Sequence, residues 1–292
     1  MRENRWAVGR MHHLPTALVA IVAALVLIIG VVALGLVTSS PNRVIPSPFA
    51  TAVSAAPSAS ASGSRVTLLA AGDIAECGNS ESEATARTLA GLPGTIATLG
   101  DNAYERGTAA EYAHCFGPTW GALRDRIRPA PGNHEYLTTG ATPYLDYFGS
   151  TAGPRGLGYY SYDLGAWHII VLNSNCSSIG GCGTSSPENV WLRADLAASN
   201  TLCTLAVWHH PRRSSGVAHG SDVSYDAFWR SLYQFGAEIV LNGHEHMYER
   251  FAPQTPEGQR DDARGIREFV VGTGRRSLYP VRLPIVNSQL DK

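Results

Sequence analysis

Several short apolar runs in this chain stop abruptly at a polar group, and this pattern confines the fold more than any other feature. Val66–Ala71 (VTLLAA) closes on Gly72-Asp73, Thr95–Leu99 (TIATL) on Gly100-Asp101, and Thr204–Trp208 on His209-His210. Glu238–Leu241 leads through Asn242-Gly243 to His244. Runs this short, bounded by turn residues, read as strands. Between them, Glu81–Ala90, Glu188–Ala198 and Ser224–Phe235 read as helices. Tyr159–Tyr162 and Trp167–Leu172 make a predicted hairpin across Leu164-Gly165, and Phe269–Val271 is the last clear strand. Strands alternating with helices predict an α/β fold, a sheet sandwiched by helices, with ligands at the carboxyl ends of strands.

The text before residue 65 is of another kind. Residues 16–37 (TALVAIVAALVLIIGVVALGLV) are 22 in number and carry no charge. As a helix they would span about 33 Å, enough for a hydrocarbon core of about 30 Å. Arg2, Arg5 and Arg10 precede this run and only Arg43 follows closely, which predicts a cytoplasmic N-terminus (residues 1–15) and an extracytoplasmic remainder. The alternative is a cleaved secretory signal, with Ala50-Thr51-Ala52 or Ala59-Ser60-Ala61 as the small-residue site. Residues 38–64 read as a linker, since 18 of the 27 are Ser, Ala or Pro and cannot bury enough apolar surface to order themselves. Residues 65–292 then form the folded domain.

Composition removes whole function classes. With 23 Lys+Arg against 24 Asp+Glu the chain has no basic excess for a phosphate backbone, so no nucleic-acid partner is predicted. The 30 Gly and 17 Pro follow no collagen-like period. Five cysteines suit an exported domain with some of them bridged: Cys176 with Cys182 is the easiest local pair, Cys77 with Cys115 a second candidate, and Cys203 is left over.

The polar residues at the strand exits form an unusual set. In chain order they are Asp73 (GDIAECG), Asp101 and Tyr104 (GDNAY), Asn133 and His134 (GNHE), His209 and His210 (WHHP), and His244 and His246 (GHEHMYER). Each piece alone has a plainer reading, such as an Asx turn or a surface histidine. Five together, each at a strand exit, supply the oxygen and nitrogen ligands that hard and borderline cations prefer. His244 and His246 would project to one face in extended chain. Asp101 and Tyr104 would be neighbours on a helical turn. His210 and His219 could bind phosphate oxygens or share acid catalysis; Arg212 and Arg213 read as solvated, and His114 and His168 as structural.

These blocks, in this order, resemble the calcineurin-like metallophosphoesterases, and most closely the purple acid phosphatase branch, which Tyr104 marks. The resemblance runs from about Arg65 to Gly274. It implies a four-layer α-β-β-α sandwich, here preceded by one N-terminal transmembrane helix, with two metal ions at the sheet edge. Carried over by motif, one ion falls to Asp73, Asp101, Tyr104 and His246. The second falls to Asp101, Asn133, His209 and His244, with Asp101 bridging. His209 is preferred to His210 because the family's ligand stands two residues before proline. The implied ions are Fe³⁺ at the tyrosine site and a divalent Fe, Zn or Mn beside it, and His134 is the implied general acid. The expected activity is hydrolysis of small phosphomonoesters. Alternatives are a phosphodiesterase or nucleotidase on the same centre, or a catalytically weak metal- or phosphate-binding surface protein. The chain departs from the family pattern after Gly274: only 18 residues remain where further strands are expected, which predicts an exposed sheet edge, and Arg275-Arg276 interrupts an expected glycine-rich turn.

Overall fold

A computed structural model describes residues 65–274, 276–281 and 283–290. The expected cytoplasmic segment, membrane span and linker (1–15, 16–37 and 38–64) lie outside the described residues. Among the described residues no helix is long and apolar enough to cross a membrane.

Among the described residues, nine strands form two sheets. β1 (Leu68–Ala71), β2 (Thr95–Leu99) and β3 (Ile127–Ala130) make a parallel sheet in the order β1-β2-β3. The second sheet holds β4 (Tyr160–Leu164), β5 (Trp167–Val171), β6 (Cys203–Val207), β7 (Ile239–Asn242), β8 (Tyr248–Arg250) and β9 (Arg267–Val271). Its order is β4-β5-β6-β7-β9-β8, parallel through the centre, with β4 and β8 antiparallel at the two edges.

Alternation along each strand explains the layering. On β2, Ile96 enters a core with Ala86 and Leu89 of α1 (Ser80–Ala90) and with Tyr144 and Phe148 of α2 (Thr142–Phe148). Its neighbours Ala97 and Leu99 point the other way and meet Ile169, Val171, Leu205 and Val207 of β5 and β6. Those strands in turn send Ile170, Ala206 and Trp208 to a third core, against Leu192 and Leu196 of α3 (Pro187–Ala198) and Phe228, Trp229 and Leu232 of α4 (Asp226–Gln234). The result is an α/β sandwich, with two sheets face to face and helices on both outer surfaces. Central strands buried on both faces need apolar residues at every position, which is why their sequence reads as continuous apolar runs.

Local chemistry sets the helix starts. Asn79 caps α1 by accepting the Glu81 N–H at 2.9 Å, with Glu81 and Glu83 in the first turn. Ser186 caps α3 in front of Pro187, whose missing N–H has no helical partner to lose there. Several boundaries move from their sequence-based positions. The hairpin turns at Gly165-Ala166, where Gly165 takes φ 62°, and a 3-10 turn over Val223–Tyr225 precedes α4. Among the elements without a helix- or strand-like run in the sequence, β3 carries Arg128 and Pro129 in four residues, β8 is three residues long, and α2 follows directly on a 3-10 turn over Thr139–Ala141.

Both disulfides suggested by the sequence form, Cys77–Cys115 and Cys176–Cys182, and Cys203 is free. The expected open sheet edge is partly covered instead. The Ala252 N–H donates to the Asn287 carbonyl at 2.8 Å and the Gln289 N–H to the Arg250 carbonyl at 2.8 Å, so the last described residues run along the β8 side. A short segment suffices because it satisfies the backbone groups that an edge strand otherwise presents.

Candidate metal centre

The carboxyl ends of the two sheets are stitched together where the polar blocks lie. The Gly72 N–H donates to the Val271 carbonyl, the Asp73 N–H to Gly100, and the Gly243 N–H to His209. The His244 N–H reaches the Asp73 carboxylate at 2.9 Å. Asp73 (φ 62°), Asp101 (φ 49°) and His244 (φ 70°) all hold left-handed backbone, a conformation side chains avoid unless the surroundings impose it. Small neighbours make room. A Cβ at Gly132 would sit 2.1 Å from Asp101 Oδ1, and one at Gly100, which has φ 90°, would sit 2.4 Å from His209 Nδ1.

The first cluster gathers Asp73, Asp101, Tyr104 and His246. The Tyr104 hydroxyl lies 2.9 Å from Asp73 Oδ1, 3.0 Å from Asp101 Oδ2 and 3.3 Å from His246 Nε2. His246 Nδ1 lies 2.8 Å from the Ser277 carbonyl, a pure acceptor, so Nδ1 carries the proton and Nε2 presents a lone pair. One phenolic proton therefore faces three acceptors. Burial, and then the charges of Asp73 and Asp101, raise the Tyr104 pKa well above its ordinary value, so its ionisation requires a cation.

The second cluster shows the same shortage of protons. His209 Nδ1 lies 2.8 Å from the Leu99 carbonyl and so donates to it. Its Nε2 faces Asn133 Oδ1 at 3.0 Å, Asp101 Oδ2 at 3.3 Å and His244 Nδ1 at 3.2 Å. Burial disfavours a charged His209, yet the Asp101 carboxylate outweighs it and pushes the pKa up to about 9. A proton is thus drawn to the spot where a bound cation would meet the same lone pairs. Asp73, Asp101 and His209 offer ligand atoms all within 4.8 Å of one another, as do His209, His210 and His244. The donor set fits two cations, with Asp101 Oδ2 common to both clusters.

His210 differs from His209. The Ser174 hydroxyl accepts the His210 backbone N–H at 3.2 Å and lies 2.7 Å from its Nδ1. Burial first, and then the charge of His209, hold the His210 pKa down to about 3, so the ring is neutral. His219 stacks on His244 with ring centres 3.9 Å apart. His134 donates from Nδ1 to the Glu105 carbonyl and places Nε2 3.7 Å from Asp101 Oδ2.

Two geometric expectations need correction. His244 and His246 do not share a face: the left-handed backbone of His244 turns it toward His209, while His246 meets Tyr104. Asp101 and Tyr104 are not on a helical turn; Ala103 bridges to Ala75 as extended chain, and left-handed Asp101 brings the two side chains together. Arg212 and Arg213 are not simply solvated. Arg212 pairs with Asp226 at 3.1 Å, and Arg213 lies over the Trp229 ring and donates to the Pro256 carbonyl. His168 is buried in an ion-paired cluster of its own, whereas His114 is exposed on the turn over Tyr112–Phe116.

Several site residues escaped the sequence reading. Glu135 is fully buried and accepts N–H groups from Asn102 (2.9 Å) and Gly132 (2.7 Å), locking the GDNAY and GNHE loops together. Its position inside GNHE was the available signal. Arg276 lies over the Tyr104 ring, 4.9 Å from its centre, and pairs with Glu76 and Glu105; its backbone N–H donates to the Asp73 carbonyl in place of a glycine-rich turn. Tyr279 stacks on His246 at 4.1 Å. Neither Arg276 nor Tyr279 stands in a recognisable motif.

Comparison with known proteins gives a consistent result. The calcineurin-like phosphoesterase family matches residues 59–248. Purple acid phosphatase 15 of Arabidopsis thaliana is 30% identical over 131 residues, covering 41% of this chain and 24% of that protein. An uncharacterized protein of Mycobacterium tuberculosis is 28% identical over 186 residues, covering 51% of this chain and 35% of that one. The chain therefore spans well under half the length of these relatives. In fold it is similar to a purple acid phosphatase from yellow lupin (Lupinus luteus) seeds, with TM-score 0.62 and 15% identity over 77% of this chain and 48% of that one. A shared family match, repeated similarity to purple acid phosphatases and a tyrosine within the first cluster lead to one assignment: the chain belongs to the calcineurin-like phosphoesterase family, on its purple acid phosphatase branch.

Proposed function

We propose that this chain is a binuclear metal phosphatase that hydrolyses phosphomonoesters. The observation that carries the reading is the pair of proton-poor clusters joined at Asp101 Oδ2. Asp73, Asp101, Tyr104 and His246 would hold one ion, and Asp101, Asn133, His209 and His244 the other. Fe³⁺ suits the phenolate of Tyr104, and a divalent Fe, Zn or Mn suits the second position. When bound, two such ions supply positive charge for a phosphate ester and activate water at neutral pH.

The chain's own residues supply the rest. Asp101 aligns the two clusters, and its other oxygen accepts the His134 N–H at 2.9 Å, which ties the acid to the bridge. Nε2 of His134 faces the site and, when protonated, delivers a proton to the departing ester oxygen. The rings of His210 and His219 stand beside His244, where they bind phosphoryl oxygens. Metal analysis with a paired chromogenic monoester and diester tests the reading. Two ions per chain with faster monoester turnover is the expected result. Faster diester turnover would favour a phosphodiesterase or nucleotidase, and two bound ions with no turnover would favour a binding protein.

The proposal includes location. Residues 16–37 would anchor the chain in the cell membrane with the domain extracytoplasmic, or be cleaved to release it. Two disulfides support an oxidising compartment.

A further inference from the structure

The loop after the ligand His209 rests on three buried carboxylates. Its neck is closed by the Asp222 N–H donating to the Pro211 carbonyl, and by Ser221 Oγ accepting the Ser214 N–H at 3.0 Å. Beneath the loop, Glu268 accepts the N–H groups of Arg212 (2.9 Å) and Arg213 (3.2 Å). Glu249 accepts the Ser215 N–H at 2.8 Å. Glu245 accepts the N–H groups of both His219 (2.6 Å) and Gly220 on one oxygen, Oε1. All three glutamates are fully buried, and Arg212, Arg213, Ser215, His219 and Gly220 give them their N–H groups.

His219 itself is exposed, so burial does not fix it. Its ring nevertheless lies over His244, bordering a 110 Å³ cavity shared with His210, Pro211 and Asp222. What fixes it is its own backbone, tied to Glu245. Gly216 lets the loop settle there, since a Cβ at that position would fall 2.2 Å from the Glu245 carboxylate carbon.

We propose that Glu245 is a positioning residue that acts through His219: its carboxylate holds the 211–222 loop so that His219 meets a phosphoryl group beside His244. This rests on the phosphatase reading above. A carboxylate buried next to an anion site would by itself repel phosphate. Its placement makes sense as a fixed acceptor for two amides that would otherwise be free to move.

The test is a double-mutant cycle on the full chain loaded with two ions, read by calorimetric binding of inorganic phosphate and by the split between kcat and KM. Glu245→Ala is expected to weaken phosphate binding about tenfold, comparable to losing one hydrogen bond to a charged group, and to raise KM more than it lowers kcat. Glu245→Gln keeps an acceptor at Oε1 and should recover most of that loss. In a His219→Ala background, Glu245→Ala should change phosphate binding less than about twofold, because the residue it positions is gone. Gly216→Ala drives a methyl group into the Glu245 carboxylate, displaces the loop and should reproduce the Glu245→Ala phenotype. Equal losses in both backgrounds, or loss of metal from Glu245→Ala, would overturn the proposal. A wild-type chain that binds two ions and no phosphate would fail at the parent reading, which the variants alone could not do.

Discussion

Tyr104 has one proton to share among Asp73, Asp101 and His246, and that imbalance sets its chemistry. Buried beside two carboxylates, the phenol keeps its proton until a cation takes its place. A phenolate on Fe³⁺ absorbs visible light, so oxidised iron-loaded protein should be coloured and Tyr104→Phe should bleach it. The variant retains Asp73, Asp101 and His246 and should still bind a divalent ion. An absorption spectrum decides the matter: a colourless iron-loaded wild type would remove Tyr104 from the coordination sphere. His134 makes a second residue-level prediction. Its Nδ1 is committed to the Glu105 carbonyl, leaving Nε2 as the working atom. His134→Ala should slow esters with poor leaving groups by about 10²–10⁴-fold and activated aryl phosphates far less. Equal losses on both would make His134 a positioning group.

Between elements, one polar clamp joins the β4–β5 hairpin to α3. His168 on β5 sets Nδ1 2.8 Å from Asp163 on β4 and Nε2 2.8 Å from Asp195 on α3, and Asp195 also accepts the Ser161 hydroxyl. A carboxylate at each nitrogen favours the doubly protonated, cationic ring. Burial opposes that charge, but the hydrogen bonds to Asp163 and Asp195 prevail and raise the pKa above 6.5. Because the folded value exceeds the unfolded one, the clamp's stabilisation is complete below the unfolded pKa of about 6.5 and fades as pH rises through the folded value. Asp163 is largely exposed, which limits the effect to about 1 kcal/mol. Urea unfolding should therefore show His168→Asn destabilised relative to wild type at pH 5.5, with the gap narrowing at pH 9. A gap independent of pH would mean that packing, not charge, is the contribution.

Across the whole molecule, the proposed extracytoplasmic location is tested through the 22-residue apolar run. If residues 16–37 anchor the chain, full-length protein should stay with membranes through high-salt and carbonate washes, while protein beginning at Arg65 should be soluble. Native protein found in the medium with its N-terminus beyond Val37 would favour cleavage. The domain has its own stitching that any such release must preserve. The segment after β9 donates to Asp73 through Arg276 and accepts from His246 through Ser277, so the C-terminal residues support the centre as well as the sheet edge.

Local chemistry makes much of this legible in the sequence. Glycine before a polar residue at the end of an apolar run marks a strand exit, because the backbone must turn sharply and let another group approach; Gly100 and Gly132 do both beside Asp101 and His209. The nearby spacing of Cys176 and Cys182 suggested their bridge for the same local reason. Elements with mixed composition were silent: β3 holds Arg128 and Pro129, and β8 is only three residues. The partners of each histidine were also out of reach. His246 meets Tyr104 across 142 residues and His244 meets Asp73 across 171, through a strand order that no short window encodes. Two histidines two residues apart even face different clusters, since His244 adopts a left-handed backbone imposed by its hydrogen bond to Asp73 and the packing around it. Periodicity and turn chemistry act over a few residues and name the reactive groups. Which of those groups share a proton, or a cation, depends on distances set when two sheets pack and bring remote strand ends within about 3 Å of one another.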